Sequence, residues 1–389
     1  MKIQQVERIP ILLNVVKPGW QGKYYFWPSQ IGKVIVRMHT SNGLVGLGET
    51  HAEPHYYGNT LVQDLKLLEL YERAIKGEAP TNIINIHKIM DKIAGRGCPN
   101  PQSARSGIDM ALYDLKGKAL NEPVYSLLGG AFQNKFELKT DLYYSTPEEM
   151  VEGSMDYVKK GYRGLKIKIG LEVESGGFSP ELLDLETKKL KAVLDVVPKS
   201  VLIDADANQA WESAGRTIQM FHGEFEEYKN LALEQPIPYW DLDGLGAIAR
   251  ELSIPLVLDE TITDTHVLIQ VIRKQACDRI CIKLARVGGL HVASKLIHIA
   301  ESAGINVSID GLYTRLGEAA LCHLAATVRD PFPLAAESRY WFKEDPMRGG
   351  AVIEDGIATL PDKPGLGVEL DEDLIHECTA PKPMLTAFP

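Results

Sequence analysis

The chain has 389 residues, 45% of them hydrophobic and 24% charged, and a formal net charge of −10. That length suits two domains or one large domain with additions, and the composition describes an ordinary soluble globular protein. With no Lys/Arg run there is no nucleic-acid footprint, and no apolar stretch reaches the roughly 18 residues of a membrane span. Neither nucleic acid nor membrane is therefore an expected partner. Five scattered cysteines, Cys98, Cys277, Cys281, Cys322 and Cys378, lack metal spacing and predict reduced thiols. Cys277-x3-Cys281 reads as two small residues flanking and entering a buried strand. With no basic-then-apolar leader at the N-terminus, a cytoplasmic location is expected.

Residues 1–130 predict an α+β domain. Lys33 to Thr40 alternates as a strand, Asn42-Gly43 makes the turn and Leu44 to Gly48 returns as a hairpin. Helical spacing follows at Leu61 to Lys76, Ile84 to Ala94 and Ala104 to Leu120, the last stopped by Asn121. From Phe136 the period changes. Short apolar runs are expected as strands at Phe136–Tyr144, Gly164–Ile169, Val201–Ala205, Leu231–Glu234, Leu256–Asp259, Arg279–Leu284, Asn306–Ile309 and Leu334–Ser338. Helices between them, such as Glu181–Val196 and Thr265–Lys274, complete a (β/α) barrel over residues 131–345. The Gly/Pro-rich residues 346–389 are expected to return to the first domain.

The chemistry lies at the ends of those strands, which share one mouth in such a barrel. Lys166-Ile-Lys168, Asp204-Ala-Asp206-Ala-Asn208, Glu234-Gln-Pro236, Asp259-Glu260 and Cys281-Ile-Lys283 follow in order. Side chains two apart on a strand share a face, so Lys166 groups with Lys168 and Asp204 with Asp206. Asp206, Glu234 and Asp259 at successive strand tips suit oxygen ligation of Mg²⁺. A cation beside a substrate carboxylate acidifies its α-carbon. A lysine near a cation and a second lysine is expected to have a depressed pKa and to serve as base near neutral pH. Lysines on both sides of the ring imply a racemase or epimerase. A Schiff-base lysine is the rival reading, and the three carboxylates argue against it.

These motifs, with Lys283-Leu-Ala-Arg-Val-Gly-Gly289 and Ala111-Leu-Tyr-Asp-Leu-Lys-Gly-Lys118, resemble the enolase superfamily, in its muconate lactonizing enzyme subgroup. The resemblance implies an α+β capping domain over a (β/α)7β barrel. It also implies Mg²⁺ on Asp206, Glu234 and Asp259, with Glu260 as the alternative to Asp259. Lys168 and Lys283 become the acid/base pair, Lys166 supports Lys168, and Asn208 and Glu260 stand behind the ligands. A sixth-strand lysine, with no histidine in Val307–Gly311, sets the chain apart from mandelate-racemase-like members. A small-molecule carboxylate substrate and a homo-oligomer are expected.

Specificity is expected from the loops Trp20–Trp27 and His51–Tyr57 and from Glu337–Trp341. Trp27, Tyr56 and Trp341 are candidate walls of a cage for a cationic amine, and Asp310 a candidate partner for a substrate nitrogen. The details look most like the branch acting on proline-type amino acids and betaines, with dipeptide epimerases next. Cycloisomerisation, or a lyase that dehydrates a hydroxy or sugar acid, is the alternative.

Overall fold

Three antiparallel strands open the chain in the computed structural model, which describes residues 1–16, 28–94, 102–170, 180–336 and 338–381. Ile3–Asn14 pairs along its length with Gln30–Thr40, which turns at Gly43 onto Val45–Glu49. Three helices, Leu61–Ile75, Ile83–Ile93 and Ser103–Leu120, pack beside this sheet. The last is buried nearly all round, the mark of a helix between two layers rather than on a surface. It ends at Asn121 in the left-handed conformation, as the sequence predicts. Its approach to the sheet depends on two glycines. A Cβ on Gly46 would sit 2.3 Å from the Ala111 carbonyl, and one on Gly48 2.0 Å from that of Gly107.

The barrel follows. Seven parallel strands are ordered as they occur in the chain: Lys139–Leu142, Gly164–Lys168, Leu202–Asp206, Leu231–Glu234, Leu256–Leu258, Arg279–Ile282 and Asn306–Ile309. They are numbered one to seven below. The expected eighth strand, Leu334–Ser338, is corrected to one bridge, Leu334 with Leu138, followed by a helical turn at Ser338–Trp341. Pro331 and Pro333 lack the N–H groups that a ladder needs. The segment still closes the ring. Leu334 bonds Glu137 and Lys139 on one side, while Phe332 and Ala335 reach Val307 and Ile309 on the other. Sheet and barrel share one continuous apolar core.

The end of the described chain returns to the first sheet. Thr379 bridges Ile11, the Ala380 amide bonds Pro10, and Glu344 accepts from Asn14. Among the described residues no helix is long and apolar enough to cross a membrane.

The glycine contacts give a direct test. Gly48→Ala is expected to destabilise the protein by about 1–3 kcal/mol through overpacking, read as a lower urea midpoint. Gly43→Ala meets nothing within 4 Å and shows only the smaller cost of its positive φ. Equal losses from both would disprove the close-approach account.

Candidate active site

Parallel register brings the charged tips level. Lys168 lies opposite Asp206, Asp206 opposite Glu234, and Lys166 opposite Asp204. Deeper in the barrel, Arg279 forms an ion pair with Asp204, and Lys139 lies 3.5 Å from Asp204 and 3.6 Å from Asp310. Lys166 stands between this layer and the mouth. Its Nζ donates to Glu234 Oε1 and Asp310 Oδ2, both at 2.7 Å, and lies 3.8 Å from Asp206.

Two clusters face each other at the mouth. On strand two, Lys168 donates to Asp206 (2.6 Å) and to Asn208 Oδ1 (3.1 Å), with Asp141 3.6 Å away. Asn208 in turn donates to Glu260 (3.1 Å). After strand six, Lys283 donates to Asp259 (2.8 Å) and meets the Tyr56 hydroxyl. Arg286 holds the other oxygen of Asp259 at 2.6 Å, and Tyr56 donates to Asp259 at 2.6 Å. Strands two and six lie on opposite sides of an eight-position ring.

Burial works to lower Lys168, but Asp206 and Asp141 outweigh it and the pKa lies above the usual lysine value. Lys283 is likewise lowered by burial and raised further by Asp259 and Asp310. These carboxylates serve as counter-ions to the two lysines. Burial pushes Glu234 up to about 8 against the pull of Lys166, and pushes Glu260 up to about 7 with help from Asp259 and Asp206. Asp259 also feels burial, but Arg286 and Lys283 hold it well below the carboxylate range.

Among the described residues two carboxylate oxygens are buried without a hydrogen-bond partner, Glu234 Oε2 and Glu260 Oε2. An unpaired buried carboxylate oxygen is costly, so the donor set fits a hard divalent cation. Glu234, Cys281 and Asp310 also bring donor atoms within 4.8 Å of one another. Lys166 already joins the two acids of that group, and burial holds the Cys281 thiol well above its usual pKa. It reads as an ion-pair core.

The other predicted residues are placed as follows. Tyr56 is at the Lys283 cluster. Asp310 is engaged inside the barrel by Lys166 and Lys139. Trp341 stacks on Tyr143 (centroids 6.1 Å apart) in a pocket that Asp141, Tyr144, Tyr157 and Tyr340 also line. Trp27, Glu337 and residues 171–179 lie outside the described residues. Sequence reasoning missed Asp141, two residues beyond Lys139 on strand one, and Arg286, one helical turn after Lys283. It also passed over Glu53, which His51 and His55 flank at 2.9 and 3.1 Å. Burial raises Glu53, and the two histidines outweigh it and hold its pKa low.

Known proteins share this plan. Residues 29–129 match the mandelate racemase/muconate lactonizing enzyme N-terminal domain, and residues 149–374 the enolase C-terminal domain-like family. The chain is 31% identical to an N-succinyl-L-Arg/Lys racemase of Bacillus cereus, covering 97% of this chain and 98% of the relative. The crystal structure of that racemase superposes with a TM-score of 0.89 over 98% of both chains. A dipeptide epimerase of Enterococcus faecalis, solved with Mg and L-Leu-L-Tyr, is 29% identical with a TM-score of 0.85, over 95% of this chain and all of that one. A cis-3-hydroxy-L-proline dehydratase of Roseibium aggregatum is 30% identical over 89% of this chain and 90% of its own length.

The buried ion pairs make a prediction independent of activity. Lys166→Met leaves Glu234 and Asp310 without their shared cation and is expected to cost about 3–5 kcal/mol. Denaturant melts in the presence of EDTA measure it. An unchanged midpoint would mean that Lys166 does not hold this layer together.

Proposed function

The chain belongs to the mandelate racemase/muconate lactonizing enzyme family of the enolase superfamily, and on that premise we propose a two-base racemase or epimerase of amino-acid derivatives. The observation that carries this reading is the placement of Lys168 and Lys283 on opposite sides of one carboxylate-lined mouth. Asp206, Glu234 and Asp259 are the residues proposed to hold Mg²⁺, with Glu260 as alternative to Asp259. The unpartnered oxygens of Glu234 and Glu260 support a cation there. When bound, Mg²⁺ supplies positive charge beside the substrate carboxylate and acidifies the α-proton. Lys168 then takes the proton from one face and Lys283 returns one to the other, or the reverse. Lys166 stays a buried cation that stabilises charge developing on the carboxylate. Asn208, bonded to both Lys168 and Glu260, fixes the direction of the Lys168 amine.

The pocket at Asp141 bears on substrate. Its wall of Tyr143, Tyr144, Tyr157, Tyr340 and Trp341 with one carboxylate supports a substrate bearing a cationic nitrogen. N-acylated arginine or lysine, dipeptides with a free amine, and proline-type amino acids or betaines all meet that description. The dehydratase relative keeps a lyase reading alive on the same two lysines.

The deciding experiment follows α-proton exchange in D₂O by NMR with Mg²⁺. Its panel holds N-succinyllysine, N-succinylnorleucine, L-Leu-L-Tyr, proline betaine and 3-hydroxyproline. Exchange with inversion, reduced about 10²-fold or more by Lys168→Ala and by Lys283→Ala, is the expected result, strongest for cationic members. Conversion to a keto acid would identify the lyase. Inversion that survives either substitution would sink the two-base mechanism.

Metal affinity has a worked sign. Below about 8 Glu234 carries a proton that a cation must displace. Mg²⁺ affinity is therefore expected to rise with pH, by up to about tenfold per unit, and to level off above about 8. Calorimetry in two buffers of different ionisation heat measures the released proton. A flat profile in the wild type, or an unaltered one in Glu234→Gln, would exclude Glu234 from the ligand set.

A further inference from the structure

The Lys283 turn is gripped from the other domain. Lys283 precedes a short helix, Leu284–Val287, whose Arg286 and Val287 amides bond the Lys283 carbonyl. Gly288 and Gly289 follow at φ of +95° and +106°, and the long helix Leu290–Ser302 begins. That helix lacks a cap of its own, since the residue at its N-cap is Gly289. The missing acceptor comes from Asp109 in the capping-domain helix Ser103–Leu120. Asp109 Oδ2 accepts from the His291 amide at 3.2 Å, the bond that an N-cap side chain makes to the second helical residue. A carboxylate there also faces the positive end of the helix dipole.

Asp109 is itself fixed. Its other oxygen lies 2.6 Å from His87 Nε2, it is fully buried, and the His87 and His291 rings sit 4.7 Å apart. Neither glycine can be replaced without disturbing this contact. A Cβ on Gly289 would come 2.4 Å from Asp109 Oδ2, and one on Gly288 3.0 Å from the Arg105 side chain. The same seven-residue segment carries both Lys283 and Arg286, which converge on Asp259.

We propose that Asp109, held by His87, is a positioning residue that caps the Leu290–Ser302 helix across the domain junction and so fixes the Lys283 side of the mouth. Lys168 stands on a strand that Asp109 does not touch. The inference rests on Lys283 acting as one of the two bases.

The test separates the two faces. In Asp109→Ala, hydrogen–deuterium exchange of the amides from Leu284 to Val292 is expected to quicken about tenfold, with Gly164–Ile169 unchanged. With the two enantiomers of N-succinyllysine, the enantiomer whose α-proton meets Lys283 loses exchange about tenfold or more. The other keeps exchanging with retention through Lys168. Asp109→Asn retains an acceptor for the His291 amide and is expected to restore most of both readouts. His87→Gln gives an intermediate loss should the alanine variant fold poorly. Unchanged amide exchange in Asp109→Ala, or equal loss on both faces, overturns the proposal. Lys283→Ala is the control. If that variant spares both faces, the assignment of Lys283 fails. If it abolishes one face while Asp109→Ala spares it, only the positioning role fails.

Discussion

Everything at the mouth depends on keeping like charges apart in a place without water. Lys166 is fully buried, yet it touches Glu234 and Asp310 and lies near Asp206. Removing a lysine and two carboxylates from water would be prohibitive unless they satisfy one another. The barrel manages this by layering. Arg279, Lys139 and Lys166 pair with Asp204 and Asp310 below, while at the opening Asp206 pairs with Lys168 and Asp259 with Lys283 and Arg286. Those acids hold Lys168 and Lys283 above the usual lysine pKa.

The capping domain completes the site as well as covering it. Tyr56 reaches Asp259 and Lys283 from a loop that begins at the end of the first sheet. The loop is anchored by Glu53 between His51 and His55, and by Lys33, whose ammonium bonds the Leu312 carbonyl on the barrel side. Glu49 accepts from Thr314, also across the junction. Lys33 and Glu49 thus hold the first sheet to the Leu312–Thr314 stretch that follows strand seven.

The barrel was more legible in sequence than the cap because its strands announce themselves twice. Each is a short apolar run and each stops at a charged residue with a chemical reason to be there. The helices Ala214–Phe221 and Thr265–Lys274 fall where helical spacing puts them. The first strand, Ile3–Asn14, was not legible, because it is half-exposed over much of its length and shows no clean alternation. The eighth strand was misread because a short run of small apolar residues looks like a strand even where the chain makes one bridge and then turns into a helix. Lys166, Lys168, Asp206, Glu234, Asp259 and Lys283 were visible as motifs, and Lys166 meets Glu234, Lys168 meets Asp206 and Lys283 meets Asp259. Asp141, Arg286 and Asp109 were not singled out, since a lone acid on a strand or an arginine in a helix carries no pattern. Their roles arise only when elements distant in sequence meet.

Asp114 gives the junction its character. Its two oxygens accept from the Leu47 amide in the first sheet and the Leu366 amide in the C-terminal segment, and Lys118 pairs with it from one turn on. Helix, sheet and returning chain are pinned at one buried carboxylate, a few residues from the glycines that let helix and sheet touch. Losing that carboxylate would loosen the helix from the first sheet and from the returning chain together.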